Sequence, residues 1–245
     1  MLRSMKQLYG DSLRALDGEI GHIKDFYFDD QKWVVRYLVA DTGSWLSGRL
    51  VLIAPHVFTN FDLDGVCRGV NLNRKQIENS PDFDSHKPVS RQYEEDYYRH
   101  YGWPSYWQGD GLWGMSGLPI LDYAAGERME SPIAESSPSV KREDAHLQST
   151  RGLNGYHVQT HDGEIGHVTD FIVHDKSWAI VHLVIETGHW FSGKEIVISP
   201  KNIERVCYEE SKVFVSVTKE AILDAPEYHV LKGAFKDSAE LASTL

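Results

Sequence analysis

"DGEIGH" occupies Asp17–His22, and the same six residues return at Asp162–His167. The two are separated by 162 − 17 = 145 residues. At that offset DGEIGHIKDFYFDDQKWVVRYLVADTGSWLSGRLVLIAP lies over DGEIGHVTDFIVHDKSWAIVHLVIETGHWFSGKEIVISP without a gap, and about half of the positions are identical. The register persists where VNLNRKQIENSPDF lies over VSVTKEAILDAPEY. Roughly 70 residues are therefore duplicated. That period is far too long for a solenoid of short units, so the repeat is a whole small domain in tandem.

Each copy reads as β. Asp17-Gly18 and Asp162-Gly163 are hairpin signals, because glycine accepts the positive φ of such turns. Ile20–Phe28 and Ile165–Val173 follow as strands. Gly21 and Gly166 interrupt their alternation and predict a bulge or a close approach of backbones. Trp33–Ala40 and Trp178–Ile185 are nearly all apolar and β-branched, which predicts strands buried on both faces. The loops TGSWLSG and TGHWFSG each carry a Trp between glycines, and the next strands close with Pro. Asn73 with Gln76, and Thr218 in the second copy, predict capped short helices that Pro81 and Pro226 terminate. Several short strands with frequent turns and one small helix suggest a small barrel.

The pattern D-G-E-I-G-x-[IV]-x-D-[FIVY], a Trp-led buried strand, and T-G-x-W-x-S-G-[RK] before a strand ending in Pro resembles the PRC-barrel domain family. The resemblance covers roughly residues 6–84 and 151–229. That family is named for the cytoplasmic part of the photosynthetic reaction centre H subunit, and it also supplies the C-terminal part of the ribosome maturation factor RimM. The resemblance implies a mainly β chain: two PRC-type small β-barrels in tandem, each with a short C-terminal helix, plus an aromatic-rich helical arm between them. It also implies docking on a larger complex, since both named relatives use the barrel that way; the motifs themselves specify the fold and are poor guides to activity, because one fold hosts many roles.

The expected division is a first barrel over 1–84, an aromatic extension over 85–125, a flexible linker over 126–150, a second barrel over 151–232 and a tail over 233–245. Ser90 is positioned to cap a helix with Tyr93, Tyr97 and Tyr101 on one face, ended by Gly102 and Pro104. Trp103, Tyr106, Trp107 and Trp113 follow. Packing of this arm on the chain's own barrels is the plainer reading, since a barrel of roughly 70 residues is marginal alone. A partner-binding patch is the sharper one, because Tyr and Trp anchor protein interfaces. On that reading the candidate contacts are Tyr97, Trp103 and Trp107 of the arm, with Trp45 and Trp190 in the loops and Arg49 and Lys194 just after them.

The net charge of −11 argues against phosphate-backbone binding and against charge-driven docking on an anionic membrane, so no nucleic-acid partner is expected. No apolar run reaches the ~20 residues of a membrane span, and the N-terminus lacks a signal-peptide core. A cytoplasmic location is the expectation. Cys67 and Cys207 read as structural thiols without a disulfide framework.

Chemistry is sparse. The sequence holds no GxSxG, P-loop, GxGxxG or HExxH motif, so no catalytic residue and no cofactor is assigned. His157, His161, His167, His174, His182 and His189 crowd the second copy, but strand neighbours face opposite ways, and no metal site is assigned. His22 and His167 repeat, as do Glu19, Asp25, Glu164 and Asp170; the acids are expected to satisfy local backbone donors. The functional expectation is a non-enzymatic protein–protein interaction or assembly module, with its protein partner unidentified. The alternative is a small-molecule or metal-binding, stress-related protein with a ligand near the arm. Either a homo-oligomer or an intramolecular pairing of the two barrels about a pseudo-twofold axis is compatible with the duplication.

Overall fold

A computed structural model describes residues 1–60, 67–84, 89–107, 112–114, 147–188, 193–223 and 227–228. In chain order the first copy gives β1 (Leu2–Ser4), β2 (Ser12–Ala15), β3 (Gly18–Asp29), β4 (Val34–Asp41), β5 (Leu50–Ile53), β6 (Phe58–Asn60), β7 (Cys67–Val70) and α1 (Arg74–Glu78). The arm supplies α2 (Arg91–Tyr101). The second copy gives β8 (Leu147–Ser149), α3 (Thr150–Leu153), β9 (His157–Thr160), β10 (Gly163–His174), β11 (Ile180–Thr187), β12 (Glu195–Ile198), β13 (Ile203–Cys207), β14 (Lys212–Val215) and α4 (Lys219–Leu223).

The strands form two seven-stranded sheets with one topology, ordered β5-β4-β3-β2-β7-β6 and β12-β11-β10-β9-β14-β13. In each, a parallel pair joins the first hairpin to the last: β2 with β7, and β9 with β14. Gly21 and Gly166 sit beside register shifts in the first hairpins. A Cβ at Gly21 would lie 1.9 Å from Asp41 O, and one at Gly166 would lie 2.0 Å from Glu186 O. Both the bulge and the close approach expected there are present, and only glycine fits.

The seventh strand of each sheet comes from the other copy. β1 pairs antiparallel with β10, placing Leu2 opposite His174 and Ser4 opposite Ile172. β8 pairs antiparallel with β3, placing Leu147 opposite Asp29 and Ser149 opposite Tyr27. Adding 145 to the β1 numbers and subtracting 145 from the β10 numbers turns the first pairing into the second. The exchange is thus reciprocal and follows the sequence repeat. The last residues of the segment read as linker are therefore strand, because Leu147 is the counterpart of Leu2 and buries itself on the first sheet.

Side chains lock the exchange. Asp170 accepts hydrogen bonds from Ser4 Oγ and, at 2.9 Å, from Lys6 N. Its counterpart Asp25 accepts from Ser149 Oγ (2.5 Å), Thr150 Oγ1 (3.1 Å) and Arg151 N (3.2 Å). The repeated aspartates do satisfy backbone donors, but across the two copies as well as locally. Between these locks the copies meet at an isolated antiparallel bridge, Val34 to Ala179. Val35 N donates to Trp178 O at 2.9 Å, and Ile180 N donates to Trp33 O at 2.7 Å. Residues 34 and 179 are themselves related by the 145 offset, so the pseudo-twofold axis passes through this bridge.

Trp33 and Trp178 do not lead their strands, as the sequence suggested. They precede them at φ 53° and 58°. That conformation costs an L-residue about 1–2 kcal/mol. Burial of an aromatic ring contributes about 1.5–3 kcal/mol, which outweighs it. Trp178 is buried against Phe26 and Phe58, with ring centroids 6.4 and 5.6 Å away, and Trp33 stacks on Phe28 at 5.3 Å. One nearly continuous core results, containing residues of both copies.

Changing Asp25 or Asp170 to Ala removes acceptors that buried or half-buried donors depend on, and each substitution is expected to lower stability by about 1–3 kcal/mol. Urea unfolding followed by tryptophan fluorescence and by far-ultraviolet circular dichroism checks this. The two signals are expected to move together in one transition. Separate transitions for the two copies would show that the exchanged strands do not couple them.

Candidate interaction surface

The aromatic arm lies on the first copy. Ser90 Oγ accepts from Tyr93 N at 3.2 Å and caps α2, and Gly102 closes the helix in the left-handed region at φ 69°. Tyr93, Tyr97 and Tyr101 line one face, with adjacent ring centroids 6.4 and 5.0 Å apart. Tyr97 is wholly buried. Its hydroxyl donates to Leu52 O and accepts from Ala54 N, both at 3.1 Å. The arm therefore supplies hydrogen bonds along the outer edge of the first sheet, where β5 is the last strand in the order among the described residues.

Beneath the arm is a buried polar network. Glu94, with no exposed surface, accepts from Tyr37 Oη (3.0 Å) and Tyr106 Oη (2.6 Å) and pairs with Arg91 at 2.9 Å. Arg36, equally buried, pairs with Asp29 at 3.0 Å and donates to Leu112 O. Its guanidinium lies 4.0 Å from the Tyr106 ring centroid and 4.9 Å from that of Trp113. Paired in this way, two buried charges avoid the cost that isolated ones would carry. Burial pushes the Tyr37, Tyr97, Tyr98 and Tyr106 hydroxyls well above their usual range, and the Glu94 carboxylate adds to this at Tyr37, Tyr98 and Tyr106. Sequence reading missed Arg36 and Glu94. The available signal was a lone Arg in the apolar run VVRYLVA, at the position where the second copy has Val181.

The candidate contacts are placed as follows. Tyr97 is interior. Trp103 is half-buried, stacked on Tyr101 at 4.3 Å and edge-on to His56 at 4.1 Å. Trp107 is half-buried under the Arg91 guanidinium at 4.4 Å. Trp45 packs on the core with Arg74 4.4 Å above its ring. Arg49 turns back to Glu78 O and Ser80 O, both at 2.6 Å, and to Asp82 at 2.8 Å. Lys194 pairs with Glu227 at 2.5 Å. Trp190 and His189 lie outside the described residues, as do Pro226, residues 126–146 of the linker and the tail over 233–245. These contacts turn the arm and the first Trp loop mainly inward, because each ring finds a cation or another ring within its own copy.

Among the described residues no three His, Cys, Asp or Glu side chains converge as metal ligands would. His157 pairs with Glu164 at 2.8 Å, and His167 with Glu186 at 3.6 Å, both on open surface. Cys207 is a half-buried free thiol. No helix among the described residues is long and apolar enough to cross a membrane.

Two outcomes test the arm. Tyr97→Phe removes the hydroxyl that serves Leu52 and Ala54 and is expected to cost about 1–2 kcal/mol, whereas Tyr97→Ala opens a cavity and is expected to cost about 3–5 kcal/mol, both read from urea midpoints. His56 tests pH dependence. Burial lowers its pKa from 6.5 to about 4. Between those values the unfolded chain binds a proton that the folded chain refuses, so stability is full above pH 6.5 and falls as pH drops toward 4. His56→Phe is expected to flatten that part of the stability–pH curve.

The family model described as PRC-barrel domain matches residues 150–222. No curated protein matches the chain. The matched span runs from α3 to α4 and takes in every strand of the second copy except β8. Over residues 150–222 the chain is thus similar to the PRC-barrel domain family.

Proposed function

We propose that this chain is a non-enzymatic assembly module, working in the cytoplasm, in which two barrels of PRC type act as one rigid docking unit. The observation that carries the reading is the reciprocal strand exchange. Each copy completes the other's sheet, so the chain is a covalent equivalent of a symmetric dimer. A symmetric pair of barrels presents two related surfaces at a fixed spacing, which suits a scaffold. The arm then breaks the symmetry, covering one copy and leaving the other different in its surface. The absence of recognisable catalytic motifs in the sequence fits a binding role.

Photo-crosslinking in native cells, followed by size separation, tests this. The chain is expected to migrate within a larger complex of defined composition, well above its own 27.9 kDa. Migration at its own mass, with and without crosslinker, would refute the assembly reading. Turnover in a broad hydrolase screen, abolished by a single substitution, would refute the non-enzymatic one.

A further inference from the structure

The two copies have equivalent grooves, and among the described residues only the first is filled. In the first copy three arm contacts define it: Trp113 Nε1 donates to Ser177 O at 2.9 Å, Tyr106 and Trp113 flank Arg36, and Trp103 meets His56. Subtracting or adding 145 turns Ser177, Arg36 and His56 into Lys32, Val181 and Lys201. Those three residues line one open groove of about 710 Å³, formed by the second copy and the Asp30–Trp33 turn of the first. Its apolar lining is Trp33, Ile180, Val181, Pro200 and Ile203.

The burial differs accordingly. In the short 3-10 turn Pro55–Val57 both Pro55 and Val57 are buried, while its counterpart Pro200–Asn202 buries no residue. Arg36 is fully buried and Val181 only half; Trp178 is 2% exposed and Trp33 half-buried. Val181 and His182 also break the expected two-sided burial of β11, whereas β4 is buried along Val34–Ala40. Among the described residues no segment covers the second copy as the arm covers the first.

We propose that the groove between Trp33, Val181 and Lys201 binds a Trp- and Tyr-bearing segment of a partner protein, in the manner of the arm on the first copy. This rests on the assembly reading above and names its contact surface. The chain's own sequence favours an outside occupant. It has two such grooves and one aromatic arm, for residues 115–146 contribute only Tyr123 and residues 229–245 only Phe235 to the set of Phe, Trp and Tyr. An arm lent by a second copy would uncover that copy's own Arg36 and Glu94, so exchange among identical chains leaves one groove unfilled per molecule. Val181 in place of Arg36 makes the floor apolar, which suits an indole or phenol ring without a buried acid beside it.

The probe is a fluorescein-labelled peptide with the sequence of residues 103–114, WPSYWQGDGLWG, titrated with the full chain by anisotropy. Saturable binding is expected, weakened about tenfold or more by Val181→Asp, as for loss of a central aromatic contact, and by replacing the peptide's Trp and Tyr with Ala. Melting curves establish that the variant is folded. A photoreactive residue at the exposed Gln31 gives a second readout that needs no change in the groove floor, and crosslinks to the peptide's tryptophans are expected. Absence of binding at millimolar peptide, or equal binding by Val181→Asp, would overturn the proposal. If the peptide fails while the native complex still forms, the groove falls and the assembly reading stands. If the peptide binds and no native complex exists, the groove stands and the assembly reading falls.

Discussion

Two three-residue strands hold the molecule together. Leu2–Ser4 on the second sheet and Leu147–Ser149 on the first make each copy dependent on the other. Their energy does not come from length. It comes from Asp170 and Asp25, which each gather several donors from the incoming segment, and from Trp33 and Trp178, held at positive φ so that the central bridge can form. The shared core then fixes the relative placement of the two sheets, and every surface of the molecule is set relative to that axis.

Against this symmetric frame the arm is a one-sided addition. It places a tyrosine hydroxyl on the edge of the first sheet, seats Arg36 and Glu94 in a paired interior, and fills the groove beside the axis. The same sequence change that admits the arm, Arg36 where the second copy has Val181, also ensures that the arm cannot serve both copies equally. Asymmetry in a duplicated chain thus comes from a few substitutions at equivalent positions.

Much of the fold was legible in the sequence because it rests on local signals. The DGEIGH hairpins, the Asn73–Gln76 capping box and the Ser90 and Gly102 caps each act within a few residues, the glycines at 21 and 166 mark a bulge and a close approach to the next strand, and each is present. The exchange was not legible. Its strands are too short for any periodicity, and their partners lie more than a hundred residues away, where only tertiary packing selects them. The site was partly legible for the same reason. The helical face of Tyr93, Tyr97 and Tyr101 follows from spacing, but whether that face meets solvent or the β5 edge depends on a hydroxyl reaching Leu52 and Ala54. The groove depends on a difference in burial between equivalent residues such as Arg36 and Val181, which the tertiary arrangement alone determines.

The exchanged N-terminal strand also has a consequence in time. A chain is made from its N-terminus, so Leu2–Ser4 emerge before the strand they pair with, which ends at His174, about 170 residues later. At synthesis rates of about 5–20 residues per second the first strand waits on the order of ten seconds or more for its place. During that interval the first copy lacks β8 as well, since Leu147–Ser149 have yet to be made for most of it. The first sheet therefore exposes the margin of β3 while nascent, and a chaperone or a neighbouring nascent chain has its opportunity there. In a duplicated protein of this kind, the order of synthesis makes the two equivalent halves unequal before folding is complete.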